Sequence, residues 1–238
     1  MAELNFYDFI SFPNRVERDK IRQEFFDFGT LRLCADDIIP QENAVLSLST
    51  FSVRERIEQK INHFNNNMSY LDLAGLQFAH YYHLFIAETD KDRKEYCDAL
   101  FKQSYRNMCC EIAVFEEKVK DFLRLVYHLN NKEFLHDDKL MKELKREFAK
   151  TDYGKVFSGA VKIYHSNSNI EKAIKDRNDE IHNETTLLTH LDTHSDTNNK
   201  MYYGRVKSCL IAMLELRNAF QKFLSKRYPD IKHASCAF

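Results

Sequence analysis

The chain has 238 residues, 44% of them apolar, and its 19 phenylalanines and 12 tyrosines supply enough bulk for a packed core. This composition excludes wholesale disorder, and the scarcity of glycine (5) and proline (3) favours long helices over a β-rich fold with many tight turns. The net charge of −1 is not that of a strongly basic nucleic-acid-binding chain, although residues 200–238 carry eight basic side chains against two acidic ones.

The first fifty residues predict short, mixed elements. Residues 16–28 have the pattern of a short helix that ends at Gly29. Residues 31–33 and 44–48, with Pro40 between them, are interpreted as brief extended pieces or turns. We interpret residues 1–50 as an N-terminal appendage packed on the same domain.

From residue 51 onward the apolar periodicity is that of helices. The predicted helices cover residues 52–64, 69–88, 91–129 (with a break near Asn107 left open), 132–150, 153–164, a stretch after the turn at 166–169, and 200–227. Breaks are predicted at Asn65-Asn66-Asn67, at Asn130-Asn131, in a polar loop at 189–199, and at Pro229. The prediction is an all-α, antiparallel helical bundle over residues 51–238, in one domain with the appendage.

Cysteine usage and hydropathy indicate the compartment. The six cysteines form no C-x-x-C pair, and the start of the chain lacks the basic and apolar regions of a signal peptide. The most apolar window, residues 70–86, contains Asp72, Gln77, His80 and His83, which makes it too polar to span a bilayer. We expect a cytoplasmic protein with reduced thiols and no membrane association.

One hexapeptide, Arg177-Asn178-Asp179-Glu180-Ile181-His182, indicates chemistry. Arginine can clamp a phosphate through paired hydrogen bonds, and histidine can move a proton near neutral pH. Arg56 to His63 and Arg227 to His233 have similar spacings, but a small polar residue follows only Arg177. The pairing suggests chemistry on a phosphodiester.

The pattern Arg177-Asn178-x-x-x-His182 resembles the signature of the HEPN superfamily, in which an arginine and a polar residue precede a histidine by a few positions. The architecture is similar over residues 90–228. The resemblance implies a four-helix core that dimerises and brings two motifs together in one cleft. It also implies metal-independent RNA cleavage, without a cofactor, in a toxin or anti-phage effector that an antitoxin or other protein partner can accompany.

The resemblance further implies the roles of individual residues. His182 would remove the proton of a ribose 2′-OH or protonate the leaving 5′-oxygen. Arg177 would hold the phosphate, and Asn178 would orient the imidazole or contact RNA. Asn183, Arg205 and Arg217 are further candidates for substrate binding, although the two arginines can instead extend from the edge of the core to solvent.

Alternative interpretations remain open. The motif can be an ordinary charged helix surface, or the chain can be a catalytically inactive HEPN-like module that binds nucleotides or a partner protein. His80 and His83 have a spacing that can bind a metal, although buried histidines satisfied by hydrogen bonds are commoner. Glu133-x-x-His136 resembles half of a di-iron motif, but no second pair accompanies it.

Overall fold

The computed structural model describes residues 11–24, 31–39, 48–130, 137–182 and 196–235, with the backbone alone at 48–52, 128–130, 137–141, 180–182, 196 and 230–235. In this part of the chain the regular structure is α-helical and contains no strand, which confirms the predicted all-α bundle. The helices are α1 (Arg15–Glu24), α2 (Ala35–Ile38), α3 (Leu48–Ala87), α4 (Lys91–Asn130), α5 (Asp137–Lys150), α6 (Asp152–Ser166), α7 (Ser168–His182) and α8 (Asp196–Ser235).

Helix starts are fixed by side chains that accept hydrogen bonds from the exposed backbone N–H groups of the first turn. Asn14 accepts from the N–H of Glu17 (3.1 Å) and donates its own N–H to the Glu17 carboxylate (2.8 Å), which is a complete capping box for α1. Asp90 accepts from the N–H of Arg93 (3.0 Å) at the start of α4. The Asp90 cap lets α4 begin after only three residues that separate it from α3.

The chain divides into two compact units. Unit 1 is drawn from Met1–Gly29, Ser69–Val114 and Asn167–Ile211, and unit 2 from Thr30–Met68, Phe115–Ser166 and Ala212–Phe238. The 40-residue helices α3, α4 and α8 each contribute a segment to both units. The boundary near residue 50 stays a prediction.

In unit 1, aromatic side chains align α3, α4 and α8. The rings of Phe78 and Phe101 are 5.0 Å apart, whereas the Lys94 ammonium lies 4.8 Å from the centre of the Phe85 ring. The later α3 residue therefore pairs with the earlier α4 residue, so the two helices run antiparallel here. Tyr203 of α8 stacks on Tyr82 at 3.9 Å, and such ring pairs stabilise a core by about 0.5–1.5 kcal/mol beyond area burial.

Unit 2 has a core of phenylalanines centred on Phe220 of α8, which is fully buried. Its ring contacts Phe64 of α3 (6.3 Å), Phe122 of α4 (5.4 Å) and Phe157 of α6 (5.5 Å). Phe148 of α5 meets Phe157 edge-on at 5.3 Å, and this contact packs α5 against α6.

The predicted break at Asn65-Asn66-Asn67 is wrong, because α3 continues through it. Asn65 accepts the backbone N–H of Leu33 (2.7 Å) and donates to its carbonyl oxygen (3.0 Å). Asn67 donates to the carbonyl oxygen of His63 one turn earlier (2.7 Å). Asparagine interrupts helices when its amide competes for the local backbone; at position 65 the amide is instead held by a distant segment.

The predicted end at Pro229 is also wrong, because α8 continues to Ser235 with Pro229 inside it. Proline removes only one N–H, the one that would bond the carbonyl of Ser225, and the neighbouring Tyr228 is buried within unit 2. The same helix begins at Asp196, so residues 196–199 of the predicted loop are helical, and α4 is unbroken at Asn107.

The remaining helix boundaries agree with the predicted ones within a few residues. The predicted helix at 153–164 is α6, and the predicted helices at 16–28 and 132–150 correspond to α1 and α5 over their described parts. Residues 31–34 are irregular, as expected, and are followed by the single-turn α2, which the sequence did not indicate. Residues 25–28, 44–47 and 131–136, including Glu133 and His136, lie outside the described residues.

Candidate functional site

The hexapeptide lies in the last turns of α7, in unit 1. Asn167 starts this helix by accepting the N–H groups of Asn169 (2.9 Å) and Ile170 (3.4 Å), as expected for a cap in this turn. Ile170 and Ala173 are buried along one face, and Asn169 donates to Ser208 of α8 (3.1 Å). The helix that presents the motif is therefore anchored from its first turn.

A polar cluster of two buried residues and one half-buried residue fixes α7 just before the motif; we call it the Asp176 cluster and define it as Asp176, Arg205 and Tyr105. Arg205 of α8 donates from Nη1 to the Asp176 carboxylate (2.7 Å) and to the Tyr105 hydroxyl (2.7 Å). Tyr105 of α4 donates its own hydroxyl hydrogen to Asp176 (2.7 Å). Three helices are thus joined at the residue that precedes Arg177.

The surroundings of the Asp176 cluster favour the charged form of Arg205. Burial opposes the charge of Arg205, but Tyr105, Asp176 and Tyr202 outweigh that effect and raise its pKa. The guanidinium lies 5.3 Å from the centre of the Tyr202 ring, within range of a cation–π contact. Burial, followed by the neighbouring negative groups, raises the pKa of Tyr105, so this hydroxyl stays protonated and acts as a donor.

Two cysteines beside the cluster are structural. Cys109 and Cys209 are fully buried, and burial raises the pKa of Cys109 well above its ordinary value and that of Cys209 to about 12. The thiolate is the nucleophilic form of cysteine. Neither thiol can therefore serve as a nucleophile at neutral pH.

Arg177 and Asn178 follow the cluster directly. Arg177 donates from Nη1 to the side-chain oxygen of Asn178 at 3.0 Å. Both side chains are half-buried, as is that of Asp179. Arginine has five N–H donors, so this one bond restricts the orientation of the guanidinium and leaves further donors for an anion.

His182 is the last residue of α7, four positions and therefore about one turn after Asn178. Its side chain and Asn183 lie outside the part of the chain that the structure describes. The structure thus brings together Arg177 and Asn178, and places the His182 backbone on the same helix.

Arg205 and Arg217, the two other arginines predicted to bind substrate, lie in different environments. Arg205 is only 9% exposed and belongs to the Asp176 cluster. Arg217 is in unit 2, where it donates from Nε and Nη2 to the carbonyl oxygen of Arg32, the first at 2.7 Å, and from Nη1 to Asn218 at 2.9 Å.

The sequence did not indicate Asp176 or Tyr105. Asp176 belongs to a charged stretch that is typical of a solvated helix face, and Tyr105 belongs to the apolar stripe of α4. A second buried group was also missed: Asp98 bonds Lys102 (2.7 Å) and Asn199 (2.6 Å) through its two carboxylate oxygens. Tyr105, Arg205 and Asn199 come from distant parts of the chain, so a local pattern carries no trace of their contacts, whereas Asp98 and Lys102 are one helical turn apart.

His80 and His83 do not converge on one point. His80 is 6% exposed and its Nε2 lies 2.8 Å from the Ser11 hydroxyl. His83 Nε2 lies 3.0 Å from the Glu24 carboxylate, which also accepts a hydrogen bond from the Tyr203 hydroxyl at 2.7 Å. Within the described residues, no group of three or more histidine, cysteine or acidic side chains is placed to hold a metal ion.

Comparison with known proteins gives no further constraint. No protein-family model, curated protein or solved structure matches the chain. Among the helices in the described ranges, none combines the length and apolar character needed to cross a bilayer. The α7 motif and the Asp176 cluster beside it are therefore the features of the molecule that indicate a function.

Proposed function

We propose that the protein is a metal-independent endoribonuclease of HEPN type. The observation that carries the proposal is the position of Arg177 and Asn178, half-buried and hydrogen-bonded to each other, directly after the Asp176 cluster that joins α7 to α4 and α8. A guanidinium fixed on a rigid helix is suited to holding a phosphodiester. The His182 position one turn after Asn178 supplies the acid–base group.

In the proposed reaction the 2′-oxygen of a ribose attacks the adjacent phosphorus. The P–O2′ bond forms and the P–O5′ bond breaks, which gives a 2′,3′-cyclic phosphate and a 5′-hydroxyl. One histidine takes the 2′-OH proton and another proton is given to the 5′-oxygen; in a homodimer, two copies of His182 divide these tasks. No metal is required, because the nucleophile belongs to the substrate.

The other residues support the phosphate clamp. Arg177 stabilises the charge that develops on the phosphate oxygens, and Asn178 holds Arg177 through the 3.0 Å bond. Arg205 acts as a positioning residue through Asp176, whereas Asn183 and Arg217 are assigned to RNA contacts outside the motif. As a HEPN-type nuclease, the protein would act in the cytoplasm as a toxin or anti-phage effector, with an antitoxin or other partner controlling it.

The test is cleavage of labelled RNA by the purified chain in EDTA. We expect cleavage to persist and His182→Ala to lower its rate by about 10²–10⁴-fold with the fold unchanged. His63→Ala is the matched control, because His63 follows Arg56 in a similar Arg…His segment, is exposed and lies in unit 2; this variant should cleave RNA like the parent. Cleavage by His182→Ala at the parental rate, or its loss in EDTA, would refute the proposal.

The second candidate is a catalytically inactive HEPN-like module that binds nucleotides or a protein partner. The hydrogen bond between Arg177 and Asn178 favours this second candidate in one respect, because it orients the guanidinium for binding without any catalytic partner. RNA binding without cleavage, lost in Arg177→Ala, would select this candidate. Binding together with EDTA-resistant cleavage would select the nuclease.

A further inference from the structure

A cavity of about 750 Å³ lies within unit 2, whereas the α7 motif belongs to unit 1. Helices α4, α5, α6 and α8 all contribute to its wall. Its volume falls within the range of about 300–1,000 Å³ that small-molecule sites occupy in proteins. The nuclease proposed above makes no use of it.

The wall of the cavity is mainly hydrocarbon. Its apolar side chains come from each of the four helices: Val119, Leu123, Phe148, Val161 and Leu216. A nucleobase presents several hydrogen-bonding atoms at its edge, and leaving these unpaired against apolar side chains costs free energy. An alkyl chain has no such atoms, so this wall fits aliphatic carbon better than a base.

Three lysines contribute to the wall of this cavity. In the described part of the chain, Lys120, Lys145 and Lys162 line the cavity together with one carboxylate, that of Glu116. Glu116 is already bonded to Lys120 at 2.7 Å and lies 3.7 Å from His165. Among the described residues, Lys145 and Lys162 have no ionic or hydrogen-bonding partner, and both are exposed at the cavity.

We propose that this cavity binds an amphiphilic anion of the fatty-acid class, with the alkyl chain inside and the carboxylate at Lys145 and Lys162. Burial of the chain supplies the main driving force. The two ammonium groups supply the preference for an anionic head, because the local negative charge of Glu116 is already neutralised by Lys120.

The experiment is calorimetric titration of the full-length protein with dodecanoate below its micelle concentration, and with dodecanol for comparison. We expect one saturable site with a preference for the carboxylate. The double variant Lys145→Gln/Lys162→Gln should weaken dodecanoate binding about 5- to 30-fold and leave dodecanol binding unchanged. Lys155→Gln, on α6 but outside the cavity and paired with Asp152, should bind like the parent.

Variants that block the cavity test whether dodecanoate binds there. Val161→Trp should reduce dodecanoate affinity by about tenfold or more, whereas Val156→Trp, exposed on the same helix and outside the cavity, should not. Ala149→Trp, at another point of the wall, replaces Val161→Trp if circular dichroism shows that the latter is unfolded. The proposal would be overturned if dodecanoate showed no saturable binding, or if dodecanol bound equally well. It would also be overturned if adenosine 5′-monophosphate bound more strongly, or if a folded cavity-blocking variant kept the parental affinity.

Discussion

Arg205 Nη1 lies 2.7 Å from the Asp176 carboxylate, and this ion pair joins α8 to the residue immediately before Arg177. The side chain of Arg205 is 9% exposed and that of Asp176 is 27% exposed, so both are largely withdrawn from water. In such a setting, removal of one partner leaves the other charge without compensation. The pair is therefore expected to control both the stability of unit 1 and the placement of the motif.

We predict that Arg205→Met lowers the free energy of unfolding by about 2–4 kcal/mol. The substitution keeps the length of the side chain but leaves Asp176 and Tyr105 without their shared donor. Arg217→Met on the same helix is the matched control and should cost about 1 kcal/mol or less, because Arg217 bonds an exposed backbone carbonyl. Urea unfolding at pH 7 measures both values.

A second substitution separates charge from packing in this prediction. Asp176→Leu added to Arg205→Met should recover part of the lost stability, since no buried charge remains. Equal stabilities of Arg205→Met and the parent would show that the pair has no structural role.

The buried histidine of α3 predicts acid sensitivity. Burial, with a smaller contribution from nearby His83, lowers the pKa of His80 below its ordinary value of 6.5, whereas Glu17 acts in the opposite direction. The folded state thus favours neutral His80, so its contribution to stability is complete above about pH 6.5 and is lost as the pH falls toward the lower pKa of the folded state. We expect the free energy of unfolding to decrease across this interval.

His80→Gln should flatten this pH dependence, because glutamine cannot titrate while its amide can still reach Ser11. Ser11→Ala should keep the pH dependence, because burial, and not the 2.8 Å hydrogen bond to Ser11, is the main cause of the lowered pKa of His80. Urea unfolding at several pH values from 5 to 8 provides the comparison. A parental slope in His80→Gln would assign the acid sensitivity to other groups.

Two glycines of α6 should respond in opposite ways to the same substitution. A Cβ at Gly154 would lie 2.5 Å from the carbonyl oxygen of Phe148 and 2.7 Å from Thr151 Oγ1, whereas a Cβ at Gly159 would meet nothing within 4 Å. Gly154→Ala should therefore destabilise the protein by about 1–3 kcal/mol. Gly159→Ala should stabilise it by about 0.5–1 kcal/mol, because alanine loses less backbone entropy in a helix.

Thermal unfolding of the two variants beside the parent decides this prediction. Gly154 also donates its N–H to Thr151 at the start of α6 (3.1 Å), so the close approach is part of the helix cap. If Gly154→Ala were as stable as Gly159→Ala, the tight junction between α5 and α6 would not exist in solution.

Helix content and most helix bounds could be predicted from the sequence because they depend on local periodicity and on polar residues near helix ends. Asn167 caps α7 as its position in a polar turn indicated. Asn65 and Pro229 were misread for a physical reason: each is a helix breaker by intrinsic preference, yet each lies in a helix that tertiary packing maintains.

The candidate site was predictable only in part. The residues of the motif are contiguous, so Arg177 and Asn178 could be found from their order along the chain. Tyr105 and Asp176 are 71 positions apart, and Arg205 lies 29 positions after Asp176. Only the fold brings these three together, which is why the sequence suggested a substrate contact for Arg205.

The final prediction concerns the shape of the phosphate clamp. Arg177→Lys keeps the positive charge but replaces a planar set of five donors by a compact ammonium, and it removes the N–H that bonds Asn178 at 3.0 Å. If the proposed nuclease stabilises charge on the phosphate in the transition state, this variant should cleave RNA about 10²–10³-fold more slowly while its affinity for RNA changes far less.

Arg56→Lys is the matched control, because Arg56 belongs to the similar segment of unit 2 and is exposed, and it should cleave like the parent. Rates and affinities must be measured separately, by single-turnover cleavage and by anisotropy of a labelled RNA. A loss of affinity equal to the loss of rate would mean that Arg177 only binds RNA, whereas an unchanged rate would place the phosphate clamp elsewhere in the chain.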